Sequence, residues 1–376
     1  MRMSMLFFLT LLTLHGAVCQ QLVGSTDWIF TDESRSGRQI PCDVRYPAEE
    51  TGENTNPSGS SLPLIVLGHG FLMSPANYNG LAQGLAQAGF VVALLATEQT
   101  LIPSHLDFGL DLAFVASQAS GAVEAGVLQN NLGSEVAIMG HSMGGGASWL
   151  AAASNDQIRT VVALAPAETS PSAIAAGSNI STAVLVVSGS DDAVTPPSTQ
   201  HLPIYQATTS SPCRAFVSII GGGHCGFADA GTICDIGELG FSGISHQEQL
   251  DRTLSVLLPW FDHWLNGEEA SWYDFLALAE VPAGLEVTWD CAVGLSYEML
   301  DEQMIAFPNP AQGNMLLNWV GEGTARAKVT DLAGRVWHEW TWNGSTGEMK
   351  LDLPEGMYVL AIEASGQTVV KRLLFF

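Results

Sequence analysis

Six short apolar runs, separated mostly by stretches of helical spacing, constrain this chain more than any other feature. They are Leu62–Leu67, Phe90–Leu95, Glu135–Met139, Thr160–Leu164, Ala183–Val187 and Ala215–Ile220. Runs this short, apolar at nearly every position, mark strands buried on both faces. The spacing predicts helices over 77–88, 107–125, 144–153 and 198–207, and an amphipathic helix over 247–265 closes the series. Strands alternating with helices predict an α/β fold, a mostly parallel sheet covered on both faces. Ahead of it, 28–47 reads as two strands around a turn at Ser36-Gly37, and 49–61 as a polar loop. In such sheets ligands sit beyond the carboxyl ends of the strands, so chemistry is expected there.

The run at 135–139 leads into Gly140-His141-Ser142-Met143-Gly144-Gly145-Gly146 and then directly into a helix. Gly-x-Ser-x-Gly at a strand–turn–helix junction is a nucleophile elbow. The turn is so tight that side chains two residues either side of the serine would clash, and the hydroxyl is left exposed at the sheet edge. In a chain with 39 glycines the pattern means little by itself; its position gives it mechanical meaning. A serine hydroxyl needs a base, expected downstream in the order Ser, acid, His. The run 183–187 is followed by Asp191-Asp192, and the run 215–220 by Gly221-Gly222-Gly223-His224. Ser142, Asp192 and His224 are therefore the expected catalytic residues, with Asp191 as the alternative acid. The oxyanion formed on attack needs two preset donors. Those expected are the backbone N–H groups of Met143, which follows the nucleophile, and of Phe71, in the loop Gly68-His69-Gly70-Phe71. Phe71 and Met143 also offer apolar faces to an acyl group or ring. His69 is expected to buttress its turn, and His141 to pack beside Ser142 or line the cleft.

Charge excludes other classes and divides the chain. Of 38 acidic residues, 31 lie in residues 1–303 against seven arginines and no lysine, a net charge of −24; residues 304–376 carry −1 and all three lysines. Nucleic-acid binding needs clustered Lys and Arg, and an anionic membrane would repel this surface. An acidic surface of this kind equally suits a salty medium. Arg2, an apolar run to Leu14 and small residues before Cys19 read as a secretory signal over 1–19, too short to span a bilayer. A lipid anchor on Cys19 is the alternative. Export makes disulfides plausible for Cys42, Cys213, Cys225, Cys234 and Cys291. Cys225 and Cys234 are the favoured pair, the odd count leaves one thiol free, and the others stay unassigned. There is neither His-x-x-x-His nor Cys-x-x-Cys, so no metal and no cofactor is expected. After about residue 285 short strands and turns replace the helices. Five strands, over 315–320, 325–332, 336–340, 358–362 and 369–373, predict a small β-sandwich. The expected domains are a catalytic unit over 20–285, a linker over 286–303 and a sandwich over 304–376.

Taken together these residues resemble the α/β-hydrolase fold over about 25–268. Within that fold, the elbow, Asp192-Ala-Val-Thr-Pro-Pro and Leu202-Pro-Ile-Tyr205 look like the bacterial polyester hydrolases, cutinase-like enzymes that cleave polyethylene terephthalate. The resemblance implies Ser142, Asp192 and His224 as triad, Phe71 and Met143 as oxyanion donors, and Val194 lining the acyl site. The family's aromatic clamp beside Ala165-Pro166 falls here on Ala167, so one wall of the ring site is missing. The family's disulfide between acid loop and histidine loop has no counterpart, because Gly189 stands at one cysteine position. The segment 225–245 is longer and Gly-rich, and reads as an extra lid. Dienelactone-hydrolase-like and chlorophyllase-like esterases share His69-Gly70 before a helix, so a small-ester or lipid esterase is the alternative. A peptidase or acyltransferase would use the same triad. The tail resembles the C-terminal sorting domain of type IX secretion cargo in Bacteroidota, through Phe307-Pro-Asn-Pro310, Asp331-Leu-Ala-Gly-Arg335, 353–360 and Lys371-Arg372. That resemblance implies recognition by an outer-membrane secretion machinery and a secreted or surface location. The competing reading is a carbohydrate-binding sandwich with Trp337, Trp340 and Trp342 on its face. The expected partners are an ester or polyester substrate and the secretion machinery, with no nucleic acid, no membrane-spanning segment and a monomeric state.

Overall fold

The computed structural model describes residues 21–118, 123–231, 233–241, 243–280 and 284–291, then the strand segments 304–307, 314–319, 324–331, 335–343, 347–354, 356–364 and 367–375. The expected targeting segment 1–19, residues 308–310 of Phe307-Pro-Asn-Pro310 and residues 332–334 of Asp331-Leu-Ala-Gly-Arg335 lie outside the described residues.

The chain enters through β1 (Leu22–Asp32) and β2 (Arg38–Ala48), an antiparallel hairpin whose turn puts Ser36 and Gly37 at φ 60° and 72°. A two-residue strand, β3 (Gly52–Glu53), edges β1. Then come β4 (Leu62–Gly68), β5 (Val91–Leu95), β6 (Leu132–His141), β7 (Thr160–Leu164), β8 (Ala183–Gly189) and β9 (Cys213–Ile219), the six expected runs. All six are parallel, and with β10 (Leu285–Cys291) they form one sheet in the order β10-β9-β8-β7-β6-β4-β5-β2-β1-β3.

Helices cover both faces, as the runs require. On one face α2 (His105–Gln118) and α3 (Met143–Ala152) bury Phe108, Leu112, Val115 and Trp149 against Leu64, Val66, Ile138 and Val161. On the other, α1 (Asn79–Gln87), α6 (His246–Asn266) and α7 (Glu269–Ala277) bury Leu85, Trp260, Phe261 and Phe275 against Ile65, Leu67, Met139 and Val162. Odd and even positions of one strand thus feed opposite cores, and each large side chain contributes about 1.5–3 kcal/mol. Two short helices, α4 (Ala173–Gly177) and α5 (His201–Gln206), sit in the connections around β8. Among the described residues, no helix is long and apolar enough to cross a membrane.

The structure corrects two expectations. Residues 286–291 of the linker expected over 286–303 belong to the strand β10, paired antiparallel with β9 and bridged to it through Cys213–Cys291, and 292–303 lie outside the described residues. Its polar, alternating sequence reads as loop because it is an edge strand with one half-exposed face. Among the described residues the tail holds seven strands, where five are expected. A three-stranded sheet orders β11 (Met304–Phe307), β12 (Asn314–Trp319) and β15 (Gly347–Asp352) as β11-β12-β15. A four-stranded sheet of β13 (Thr324–Asp331), β14 (Val336–Asn343), β16 (Gly356–Ala364) and β17 (Gln367–Phe375) has the order β14-β13-β16-β17. Leu351 of the first shares a core with Val329, Leu360 and Leu373 of the second. Trp342 is buried in that core, with Trp337 and Trp340 packed against it, so the tryptophan spacing serves the sandwich interior.

Candidate active site

Ser142 sits between β6 and α3 at φ 55°, ψ −118°, a conformation costly for any residue with a side chain. The glycines around it make the turn possible. A Cβ on Gly140 would lie 2.1 Å from the carbonyl oxygen of Gly144, and one on Gly144 2.2 Å from that of Gly68. The second contact matters beyond the turn, because it presses the start of α3 against the end of β4. There the Gly144 N–H donates to the His69 carbonyl at 3.1 Å, tying the loop that carries Phe71 to the helix end that carries Met143. The Met143 N–H opens α3 and has no acceptor within the helix. Phe71 is half exposed, between Gly70, whose N–H donates to Tyr78 Oη at 2.8 Å, and Leu72, whose φ is 59°.

The loops after β8 and β9 carry Asp192 and His224, the candidate acid and base. His224 Nε2 lies 2.9 Å from Ser142 Oγ, and His224 Nδ1 lies 2.7 Å from Asp192 Oδ2. All three residues are buried. Asp192 Oδ1 accepts the N–H groups of Val194 and Thr195, each at 2.8 Å. Burial pushes the Asp192 carboxyl up, but the His224 hydrogen bond and charge outweigh it and hold the pKa below the ordinary carboxylate value. Asp191, the alternative acid, is exposed and bonds Ser190 Oγ at 2.8 Å, so it lies outside this line.

Other residues were not anticipated. Thr195 Oγ1 lies within 3.0 Å of Asp192 Oδ2, His224 Nδ1 and His201 Nε2. His201, at the start of α5, places its Nδ1 2.7 Å from Ser188 Oγ and its Nε2 3.5 Å from Asp192 Oδ2. Burial lowers its pKa to about 4, so at neutral pH it stands behind Asp192 as a neutral ring. Thr195 stands three residues past the acid, where a hydroxyl caps a carboxylate loop, which is a legible signal. His201 carries none.

His141, expected to pack beside Ser142 or to line the cleft, is wholly buried. The elbow turns Ser142 outward and therefore sends His141 inward, against Tyr78 and Phe227. Burial first, and the neighbouring His224 second, hold its pKa well below the ordinary histidine value. His69 is buried too, its ring nitrogens each 2.7 Å from the carbonyls of Gly70 and Thr97, where it braces the loop as expected. The other expected contacts gather at the carboxyl edge. Val194 is exposed in the acid loop, and Ala167 donates its N–H to the Ser142 carbonyl at 2.9 Å. Cys225 and Cys234, the favoured pair, are bonded, and among the described residues Cys42 is the free thiol, and it is buried.

A parallel sheet of this order, with a serine on the elbow after its central strand and an Asp and a His after later strands, defines an α/β-hydrolase. The chain belongs to the PET hydrolase-like family, which matches residues 43–247, more than half of its length. Residues 305–375 match the secretion system C-terminal sorting domain. Its relatives include a bis(hydroxyethyl) terephthalate hydrolase of Streptomyces coelicolor, 29% identical over 175 residues, 45% of this chain and 53% of that one. Cutinase 2 of Thermobifida cellulosilytica is 26% identical over 165 residues, 43% of this chain and 59% of the relative. Cutinase cut1 of Thermobifida fusca is 26% identical over 165 residues, 43% of this chain and 49% of the relative. The chain thus spans about half the length of the curated relatives it matches.

Proposed function

We propose that this chain is a secreted serine hydrolase of carboxylic esters, with polyesters of the terephthalate and cutin type as its substrate class. One observation carries the reading: the unbroken line Ser142 Oγ, His224 Nε2, His224 Nδ1, Asp192 Oδ2, at 2.9 and 2.7 Å. Ser142 Oγ attacks the ester carbonyl as His224 Nε2 takes its proton. The negative oxygen is met by the N–H groups of Phe71 and Met143, and Asp192 stabilises the imidazolium. The same proton passes to the leaving alcohol, and an acyl-enzyme remains on Ser142. Water, deprotonated by His224, then releases the acid and restores the serine. Phe71, Met143, Val194 and Ala167 flank the acyl group. The names of the relatives, a terephthalate-ester hydrolase and cutinases, support the substrate class.

The sorting-domain match supports export through a type IX secretion machinery, with the signal 1–19 removed first. We assign the catalytic unit to residues 20–291, extended to include β10, the sorting unit to 304–376, and a monomer as the working form.

Release of nitrophenol from a short-chain nitrophenyl ester, beside Ser142→Ala, tests the reading. The variant is expected to lose about 10⁶ in kcat with its fold retained. Near-full activity there would sink the nucleophile, and amide substrates cleaved faster than esters would move the enzyme to the peptidases.

A further inference from the structure

The segment 225–245 grips the candidate base from behind. The carboxylate of Glu238 accepts two consecutive backbone N–H groups, that of His224 at 2.5 Å and that of Cys225 at 2.8 Å. Hydrogen bonds from amides to a half-buried carboxylate are short and roughly twice as strong as neutral ones. Four residues before Glu238, Cys234 is bonded to Cys225, so the bridge and the carboxylate close on the same stretch of backbone. Between them Gly237 and Glu238 turn back, donating to the carbonyls of Cys234 and Asp235.

The glycine run before the histidine is shaped to this grip. A Cβ on Gly223 would lie 2.6 Å from Glu238 Oε1, so only glycine lets the carboxylate in. Gln249, on α6, holds Gly223 from the other side, accepting its N–H at 2.9 Å and donating to its carbonyl at 2.8 Å. Asp229 anchors the rest of the segment by accepting the N–H groups of Asn79 and Gly80 at the start of α1.

We propose that Glu238 is a positioning residue for His224, kept in register by the Cys225–Cys234 bridge. The segment thereby acts as a brace on the base as well as a cover. With the carboxylate in place, the His224 backbone is fixed at its own amide by Glu238, at the preceding residue by Gln249 and at its carbonyl by His141. An imidazole displaced by a fraction of an ångström from Ser142 Oγ transfers its proton poorly, and misplacement of this kind costs up to about a hundredfold. The assignment rests on His224 acting as the base.

The test uses the full chain carrying Glu238→Ala, nearly isosteric Glu238→Gln, Cys234→Ser or Ser142→Ala, assayed with a small nitrophenyl ester. Glu238→Ala is expected to lower kcat by about ten- to a hundredfold with KM within about twofold, and Glu238→Gln, which keeps one acceptor oxygen, to lose less. Amide hydrogen exchange over 222–226 is expected to quicken in both. Cys234→Ser is expected to fall in the same direction, and to add little to Glu238→Ala because the two act on one contact. Wild-type kcat in Glu238→Ala beside an inactive Ser142→Ala would overturn the positioning role and leave the triad intact. A loss confined to KM would also overturn it, in favour of a simple cover. An active Ser142→Ala would remove the base assignment itself, and Glu238 with it.

Discussion

His141 Nε2 lies 3.0 Å from the carbonyl oxygen of His224, so the residue before the candidate nucleophile holds the backbone of the candidate base. Its Nδ1 lies 2.8 Å from Tyr78 Oη, and that oxygen receives the Gly70 N–H. One buried imidazole therefore joins the elbow, the histidine loop and the loop that carries Phe71. Only one tautomer satisfies every partner: Nε2–H donates to His224, and Nδ1 accepts from Tyr78.

Replacing that ring is expected to lower kcat without selecting among substrates. His141→Phe keeps the bulk but removes the Nε2–H that reaches the His224 carbonyl and the Nδ1 that faces the Tyr78 hydroxyl, a stability cost of about 1–3 kcal/mol. Steady-state kinetics on a short and a long acyl ester would decide the role. Equal losses in kcat for both fit a buried brace, whereas a KM change for only the longer ester would restore His141 to the cleft.

The two adjacent aspartates are expected to separate cleanly. Asp192→Asn removes the acceptor of His224 Nδ1–H and favours the wrong tautomer, for which a loss of about 10⁴ in kcat is typical. Asp191→Asn changes an exposed side chain bonded to Ser190 and is expected to stay near wild type. Comparable losses in both variants would break the assignment.

Much of this is legible in the sequence. The six runs announce the parallel core because each is buried on both faces, and the elbow announces Ser142 because only glycine fits beside it. Chain order then points to Asp192 and His224. What sequence could not show depends on distance along the chain. His201 reaches Asp192, Glu238 reaches the His224 amide, and Tyr78 reaches His141 across 63 residues, none with a fixed spacing. Of the two places expected for His141, packed beside Ser142 or lining the cleft, it takes the buried one, because neighbouring residues on an elbow point opposite ways. Strand β10 is not legible, because its pairing and its disulfide, not its composition, make it part of the sheet.

The two disulfides are expected to differ in stabilisation by the length of chain they close. Cys213–Cys291 spans 78 residues and Cys225–Cys234 spans nine. The chain-entropy relation assigns them about 4.5 and 2.6 kcal/mol. Replacing Cys213 and Cys291 by alanine should therefore lower the denaturation midpoint more than replacing the other pair, and should free β10 from the sheet edge first. A larger loss from the short bridge would mean that local contacts around His224, not chain entropy, dominate.

Acid should weaken the fold well before the carboxylates are neutralised. His201 has a folded pKa of about 4 against an ordinary value of 6.5, because burial disfavours its charged form. Between those values the unfolded chain takes up a proton that the folded chain refuses. Its contribution is therefore present in full above about pH 6.5 and is lost as the pH falls toward 4, on the order of 3 kcal/mol in all. Burial lowers His69 and His141 as well, which adds the same sign in the same range. Asp192, held below the ordinary carboxylate value, acts further down, its contribution fading only as the pH drops through its folded pKa. Melting temperature should thus be flat near pH 7–8 and fall between pH 6.5 and 4. His201→Gln, which does not titrate there, should flatten part of that slope. A variant as steep as wild type would place the acid sensitivity in the other histidines.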